Sequence, residues 1–190
     1  MHYLIMATVL FSSLLLSACG PAAVVGAIGS AVTRAAYEDD AKTNNYSQPI
    51  RQDNRSEIVS INLKLGISYM QEGRYEKALE RLNRAREARS NYPPTYNALG
   101  VLYQKLRMYG VAEDNFKKAI KLNPKDSSTL NNYGLLLCQT QRYEEADKIF
   151  MRAVNNPLYT TPELVYNNAG ICALNNEQIE LAENYFKEAL

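Results

Sequence analysis

Few side chains in this sequence could do covalent or acid-base chemistry. His2 is its one histidine, and Cys19, Cys138 and Cys172 are its three cysteines. An imidazole at the second position, inside a segment expected to be removed, leaves the mature chain no histidine as base, proton shuttle or zinc ligand. The cysteines are too few and too dispersed for a disulfide scaffold, and no pair has the short spacing of a zinc clip. There is no Gly-rich phosphate loop and no carboxylate cluster at metal-binding spacing. Glu144-Glu145 and Glu76-Lys77 read as solvated helix faces. The expectation is therefore a protein without catalytic residues, metal or cofactor. Nucleic acid is excluded on charge, because 21 Lys and Arg against 20 Asp and Glu leave a formal charge of +1. A length of 190 residues, 46% apolar and 22% charged, fits a folded protein of one or two domains.

What Cys19 can do depends on what precedes it. An apolar run from Leu4 to Phe11 continues through Leu14-Leu15-Leu16, too short to span a bilayer and of the length of a signal peptide. Leu16-Ser17-Ala18-Cys19 resembles the bacterial lipobox. That resemblance implies removal of residues 1–18, diacylglycerol on the Cys19 thiol and acylation, such as palmitate, of the new N-terminus. Several acyl chains, at about 0.8 kcal/mol per buried methylene, anchor firmly where one alone is reversible. Gly20 rather than Asp after the cysteine implies delivery to the outer membrane. Met1-His2-Tyr3 departs from the pattern by lacking Lys and Arg, which points to a start further upstream. Residues 19–56 read as a lipidated tether. Val24, Val25, Ile28 and Val32 could form a patch on the membrane, but no sustained amphipathic period supports that over a spacer.

The elements that would position any binding residue emerge from self-similarity. Gly66, Gly100, Gly134 and Gly170 are separated by 34, 34 and 36 residues, and Ala78, Ala112, Ala146 and Ala182 by the same intervals. Leu82, Phe116, Phe150 and Phe186 keep this register, as do Ala85, Ala119, Ala153 and Ala189, and Tyr75, Tyr109, Tyr143 and Ile179. This pattern resembles the tetratricopeptide repeat, a 34-residue helix-turn-helix unit. It predicts an all-α solenoid over residues 57–190, of about four antiparallel helix pairs near 59–92, 93–126, 127–162 and 163–190. Gly on the first helix is expected to face Ala on the second, with Tyr and Phe filling the wedge between neighbouring pairs. Pro124 and Pro157 stop second helices, while Asp126 and Thr161 stand at N-cap positions. The third unit is two residues longer, within 155–162. The fourth reaches Leu190 with its second helix still in register, which reads either as a truncated chain or as a face sealed by further repeats, self-association or a partner.

The first helices of such a solenoid line a concave surface. One residue after each Gly stand Ile67, Val101, Leu135 and Ile171; three before stand Leu63, Asn97, Asn131 and Asn167. An apolar row beside a carboxamide row suits an extended or helical peptide, because each Asn can donate to and accept from a peptide backbone. Asn97, Val101, Asn131, Leu135, Asn167 and Ile171 are accordingly the candidate partner-binding residues. The blander alternative packs the apolar row between adjacent first helices and leaves the Asn row to solvent. Leu63 and Ile67 occupy the places where chaperone-type repeats grip a terminal carboxylate, so a C-terminal acidic peptide is a poor ligand.

The third and fourth repeats carry a more specific resemblance. Leu130-Asn131-Asn132-Tyr133-Gly134, Leu137-Cys138, Arg142-Tyr143-Glu144-Glu145-Ala146, Asn156-Pro157-Leu158-Tyr159 and Asn168-Ala169-Gly170-Ile171-Cys172-Ala173-Leu174 resemble the PilF/PilW family of type IV pilus biogenesis lipoproteins. That resemblance implies a pilotin: an outer-membrane lipoprotein that binds the secretin subunit, escorts it and supports assembly of the pilus pore. The family has about six repeats, so four is a departure. Cys138 and Cys172 fall near one level of adjacent first helices, in a compartment that permits disulfides, and read equally as a bridge or as two buried thiols. Two rival functions fit the same architecture. One is an envelope scaffold recruiting peptidoglycan hydrolases or proteases; the other is a subunit of an outer-membrane protein insertion machine.

Overall fold

The computed structural model describes residues 52–190. The signal peptide over 1–18, lipidation at Cys19 and the tether up to residue 51 lie outside the described residues. Eight helices fill the rest: α1 (Gln52–Gln71), α2 (Tyr75–Ala88), α3 (Pro93–Lys105), α4 (Tyr109–Leu122), α5 (Ser127–Gln139), α6 (Tyr143–Val154), α7 (Pro162–Asn175) and α8 (Ile179–Glu188). They pair as α1/α2, α3/α4, α5/α6 and α7/α8, each pair packing on the next. Among the described residues no helix is long and apolar enough to cross a membrane.

The tether ends earlier than expected. Residues 52–56, assigned to it above, form the first turns of α1, because no Pro or Gly interrupts the chain between Pro49 and Gly66. The predicted starts at 93 and 127 coincide with α3 and α5, and α7 begins at Pro162, where proline needs no N–H partner. Asp126 and Thr161 do stand at the N-cap positions, yet neither side chain bonds the helix backbone. Asp126 instead accepts a hydrogen bond from the Thr129 hydroxyl.

Inside each pair the turn repeats one device. Gly73, Arg107, Gln141 and Glu177 all have φ between 59° and 73°, the left-handed region. The N–H that follows each reaches a carbonyl five residues back, as from Met108 to Tyr103 at 2.9 Å and from Arg142 to Leu137 at 2.9 Å, which closes the helix end. Only the first turn uses glycine, the residue that adopts this conformation at least cost.

The small residues pack differently from the expectation. A Cβ added to Gly100 would stand 2.6 Å from the ring of Phe116, and one on Gly134 would stand 2.5 Å from Phe150. Gly66 meets Leu82 and Gly170 meets Phe186 in the same way. The glycine therefore receives the large residue of its own second helix, and at Phe116 the ring also reaches the next pair, its centroid 6.2 Å from that of Tyr133. Ala78, Ala112, Ala146 and Ala182, with Ala85, Ala119 and Ala153, are fully buried.

Candidate partner-binding surface

Consecutive first helices lie side by side, so their inward residues form rows. Val101 and Leu135 are half-buried and pack against the core of the later repeats, and Ile67 packs against the N-terminal cluster around Leu99. Ile171 is 52% exposed. The inner members of the apolar row pack against the core, as the blander alternative expects, and remain part-exposed.

The carboxamide row is mostly occupied. Asn132 Nδ2 donates to Asn97 Oδ1 at 3.0 Å, and Asn168 Nδ2 donates to Asn131 Oδ1 at 2.9 Å. Each bond joins neighbouring first helices. Asn131 is 5% exposed, so it belongs to the packing and not to a ligand ladder; Asn97 keeps partial exposure with its oxygen engaged, and Asn167 is exposed. The missed signal was the doubled Asn131-Asn132 and Asn167-Asn168, which offers one amide to each neighbour.

Cys138 and Cys172 are joined by a disulfide, with α-carbons 5.7 Å apart. It ties α5 to α7. Its sulfur end is nearly closed off, Cys138 being 9% and Cys172 4% exposed.

A polar knot holds the second repeat to the third from the outer side. The Glu113 carboxylate accepts from Arg142 at 2.9 Å, from the Tyr133 hydroxyl at 2.9 Å and from Lys117 at 2.8 Å, while Arg142 also reaches Glu145 at 2.7 Å. Sequence reasoning missed it because its members come from α4, α5 and the turn before α6. Burial raises the Glu113 carboxyl, but hydrogen bonds from Lys117, Arg142 and Tyr133 outweigh it and bring the pKa from 4.5 down to about 2. Burial and the bond to Glu113 push Tyr133 up to about 12. A carboxyl with a depressed folded pKa stabilises the fold above its unfolded pKa, and that contribution fades as pH falls from 4.5 toward about 2. Glu113→Gln is therefore expected to unfold at lower temperature than the parent at neutral pH, with the gap closing near pH 2. Melting curves at both pH values check this; a constant gap would count against the knot.

Among the described residues no group of three His, Cys, Asp or Glu side chains could hold a metal ion. Val101, Leu135 and Asn97 are part-exposed and Ile171 and Asn167 exposed on the first helices.

Comparison with known proteins agrees. Two tetratricopeptide repeat family models match residues 57–125 and 115–148. A curated relative, the type IV pilus assembly protein PilF of Pseudomonas aeruginosa, is 30% identical over 149 residues, 78% of this chain and 59% of that protein. The solved structure of Pseudomonas aeruginosa PilF superposes with a TM-score of 0.68 at 30% identity, covering 72% of this chain and 61% of that one. The crystal structure of PilW, described as a widely conserved type IV pilus biogenesis factor, gives 0.67 at 29% identity, covering 70% and 61%. The chain thus spans about three fifths of the length of these relatives. Repeat register, fold and kinship converge: the chain belongs to the PilF/PilW-like family of tetratricopeptide-repeat proteins.

Proposed function

We propose that this chain is a non-enzymatic adaptor of type IV pilus biogenesis, lipidated at Cys19 and held on the periplasmic face of the outer membrane. Its work is to bind the secretin subunit and aid that subunit's localisation and assembly. The observation that carries this reading is kinship with PilF and PilW in sequence and fold together. The groove supplies the means. Val101, Leu135 and Ile171 give apolar contact, Asn97 and Asn167 offer amide groups at its rim, and the bridge behind Cys138 fixes the spacing of two of its helices.

Two experiments test it. Outer membranes containing a tagged protein are solubilised and the copurifying proteins identified, beside a Cys19→Ser control. A secretin in near-stoichiometric amount is expected, and its loss from the control. Peptidoglycan hydrolases or insertion-machine subunits in its place would replace this function with one of the rivals. Next, Val101→Ser, Leu135→Ser and Ile171→Ser are combined. At roughly 1 kcal/mol or more per apolar contact, partner affinity should fall about a hundredfold. Unchanged affinity with native helix content would move the site to the outer face.

A further inference from the structure

One edge of the solenoid gathers the start of α1 and the connections between repeats. Arg55 and Ser56, near the beginning of α1, share a surface hollow with Arg89, Ser90 and Asn91 from the first connection, and with Glu87. The next two connections are neighbours, because Asn156 Nδ2 donates to the Lys125 carbonyl at 2.9 Å and to Ser127 Oγ at 3.1 Å. Asn156 Oδ1 in turn accepts from the Leu158 N–H at 3.1 Å. The longer third connection is thus fastened, and at its tip it holds Leu158, 86% exposed. Among the described residues only Leu190 is a more exposed large apolar side chain.

Arg55, Arg89, Lys121 and Lys125 stand on the edge, and none of them forms an ion pair among the described residues. Arg89 lies over the Tyr92 ring at 5.1 Å. At the opposite edge Arg74 is paired with Glu72, and Arg142 with Glu113 and Glu145, while Lys105 and Arg107 form no ion pair among the described residues. Glu57, Glu87, Asp126 and Glu163, the last in the first turn of α7, share the edge with the cations, and Asp126 is taken by Thr129. Charge is also graded along the solenoid. Residues 54–92 carry eight Lys and Arg against five Asp and Glu, residues 93–126 six against three, 127–162 three against three, and 163–190 one against five.

We propose that this edge rests on an anionic membrane surface, with Leu158 entering the interface and Arg55, Arg89, Lys121 and Lys125 facing lipid phosphates. Unpaired cations beside a fixed, protruding leucine are the chemistry of interfacial docking, each cation contributing modestly and the apolar group setting depth. The chain also reaches the domain at this edge, Gln52 lying 33 residues after Cys19. The inference takes its setting from the lipid anchor proposed above, although its contacts are separate. The strongly acidic fourth repeat is then repelled from the bilayer, which turns the C-terminal half of the groove toward the periplasm.

The chain has no tryptophan, so Leu158→Trp and Leu106→Trp, at opposite edges, each introduce a single reporter. In lipoprotein reconstituted into phosphatidylethanolamine vesicles containing phosphatidylglycerol, the indole of Leu158→Trp should be blue-shifted and quenched by brominated lipid. That of Leu106→Trp should be neither. Binding of unanchored Cys19→Ser protein to the same vesicles should drop roughly thirtyfold when Lys121 and Lys125 are both replaced by Ala, at about fivefold per cation. Equal quenching at both edges, or an unquenched Leu158→Trp that shifts only when a protein partner is added, would overturn the proposal. Failure of the anchor is read separately, from wild type and Cys19→Ser partitioning alike while the edge reporter still responds.

Discussion

Gly134→Ala should destabilise the domain by about 2–3 kcal/mol, although alanine is the better helix former. The reason is local: the new methyl would stand 2.5 Å from Cε1, 2.7 Å from Cδ1 and 2.9 Å from Cζ of Phe150. That ring is fully buried and rigid, so relief requires α5 and α6 to move apart, and with them the contacts each makes to its neighbours. A control shares the chemistry without the crowding. Gly110, in α4, has nothing within 4 Å of its added Cβ, so Gly110→Ala should be neutral or stabilising by up to about 1 kcal/mol. Gly66→Ala should fall between, since its obstacle at 2.7 Å is the end of the Leu82 side chain, which can change rotamer. Phe150→Ala alone should cost about 3–5 kcal/mol. Adding Gly134→Ala to it should cost little more, because the ring it would strike is gone; the coupling across the cycle should approach 2 kcal/mol. Denaturant titrations of the four proteins measure this, and equal effects of Gly134→Ala and Gly110→Ala would refute the packing argument.

Loss of the bridge between Cys138 and Cys172 should be the other large effect. The sulfurs close a loop with a sequence separation of 34, for which the chain-entropy relation gives roughly 3.5–4 kcal/mol. Wild-type protein in strong reductant should therefore unfold at markedly lower denaturant than oxidised protein, and Cys138→Ala with Cys172→Ala should match the reduced form whether or not reductant is present. Alanine is preferable to serine here, since both sites are buried and a hydroxyl would lack partners. Alkylation checks the premise: protein made in an oxidising compartment should yield no reactive thiol at either position before reduction. Two labelled thiols in that sample would remove the bridge and the stability assigned to it.

The fold was legible in the sequence because a repeat prints the same packing requirement several times over. The coincident rows of Gly, Ala, Leu or Phe and Tyr set helix number and order, and the starts of α3, α5 and α7 lie within a residue of the expected 93, 127 and 163. What they could not fix was which residue faces which. An antiparallel pair can slide by one turn without altering its periodicity, and so Gly was expected opposite Ala when it receives Phe116, Phe150 or Phe186 four residues further on. The inner surface was legible in position and not in direction. Asn131 and Asn132 differ by about 100° around α5, and both reach a neighbouring helix, Asn132 donating backward to Asn97 and Asn131 accepting from Asn168 ahead. Of the knot around Glu113 only the short-range pairs to Lys117 and between Arg142 and Glu145 have helical spacing, whereas Tyr133 and Arg142 are 20 and 29 residues from Glu113 and share no repeat position with it.

The amide pairs between first helices bear on how the domain yields. They link repeat two to repeat three and repeat three to repeat four, where the disulfide and the Glu113 knot also lie. At the corresponding step between repeats one and two the sequence places Leu63 and Ala98, and the junction is held by the small cluster around Leu82 and Leu99 and by the Tyr96 hydroxyl, which donates to the Ser90 carbonyl at 2.7 Å. Cooperativity is therefore uneven along the molecule. Under tension from the N-terminal side the first helix pair is expected to open before the cross-linked remainder, which a force-extension trace would record as a first, small unfolding step.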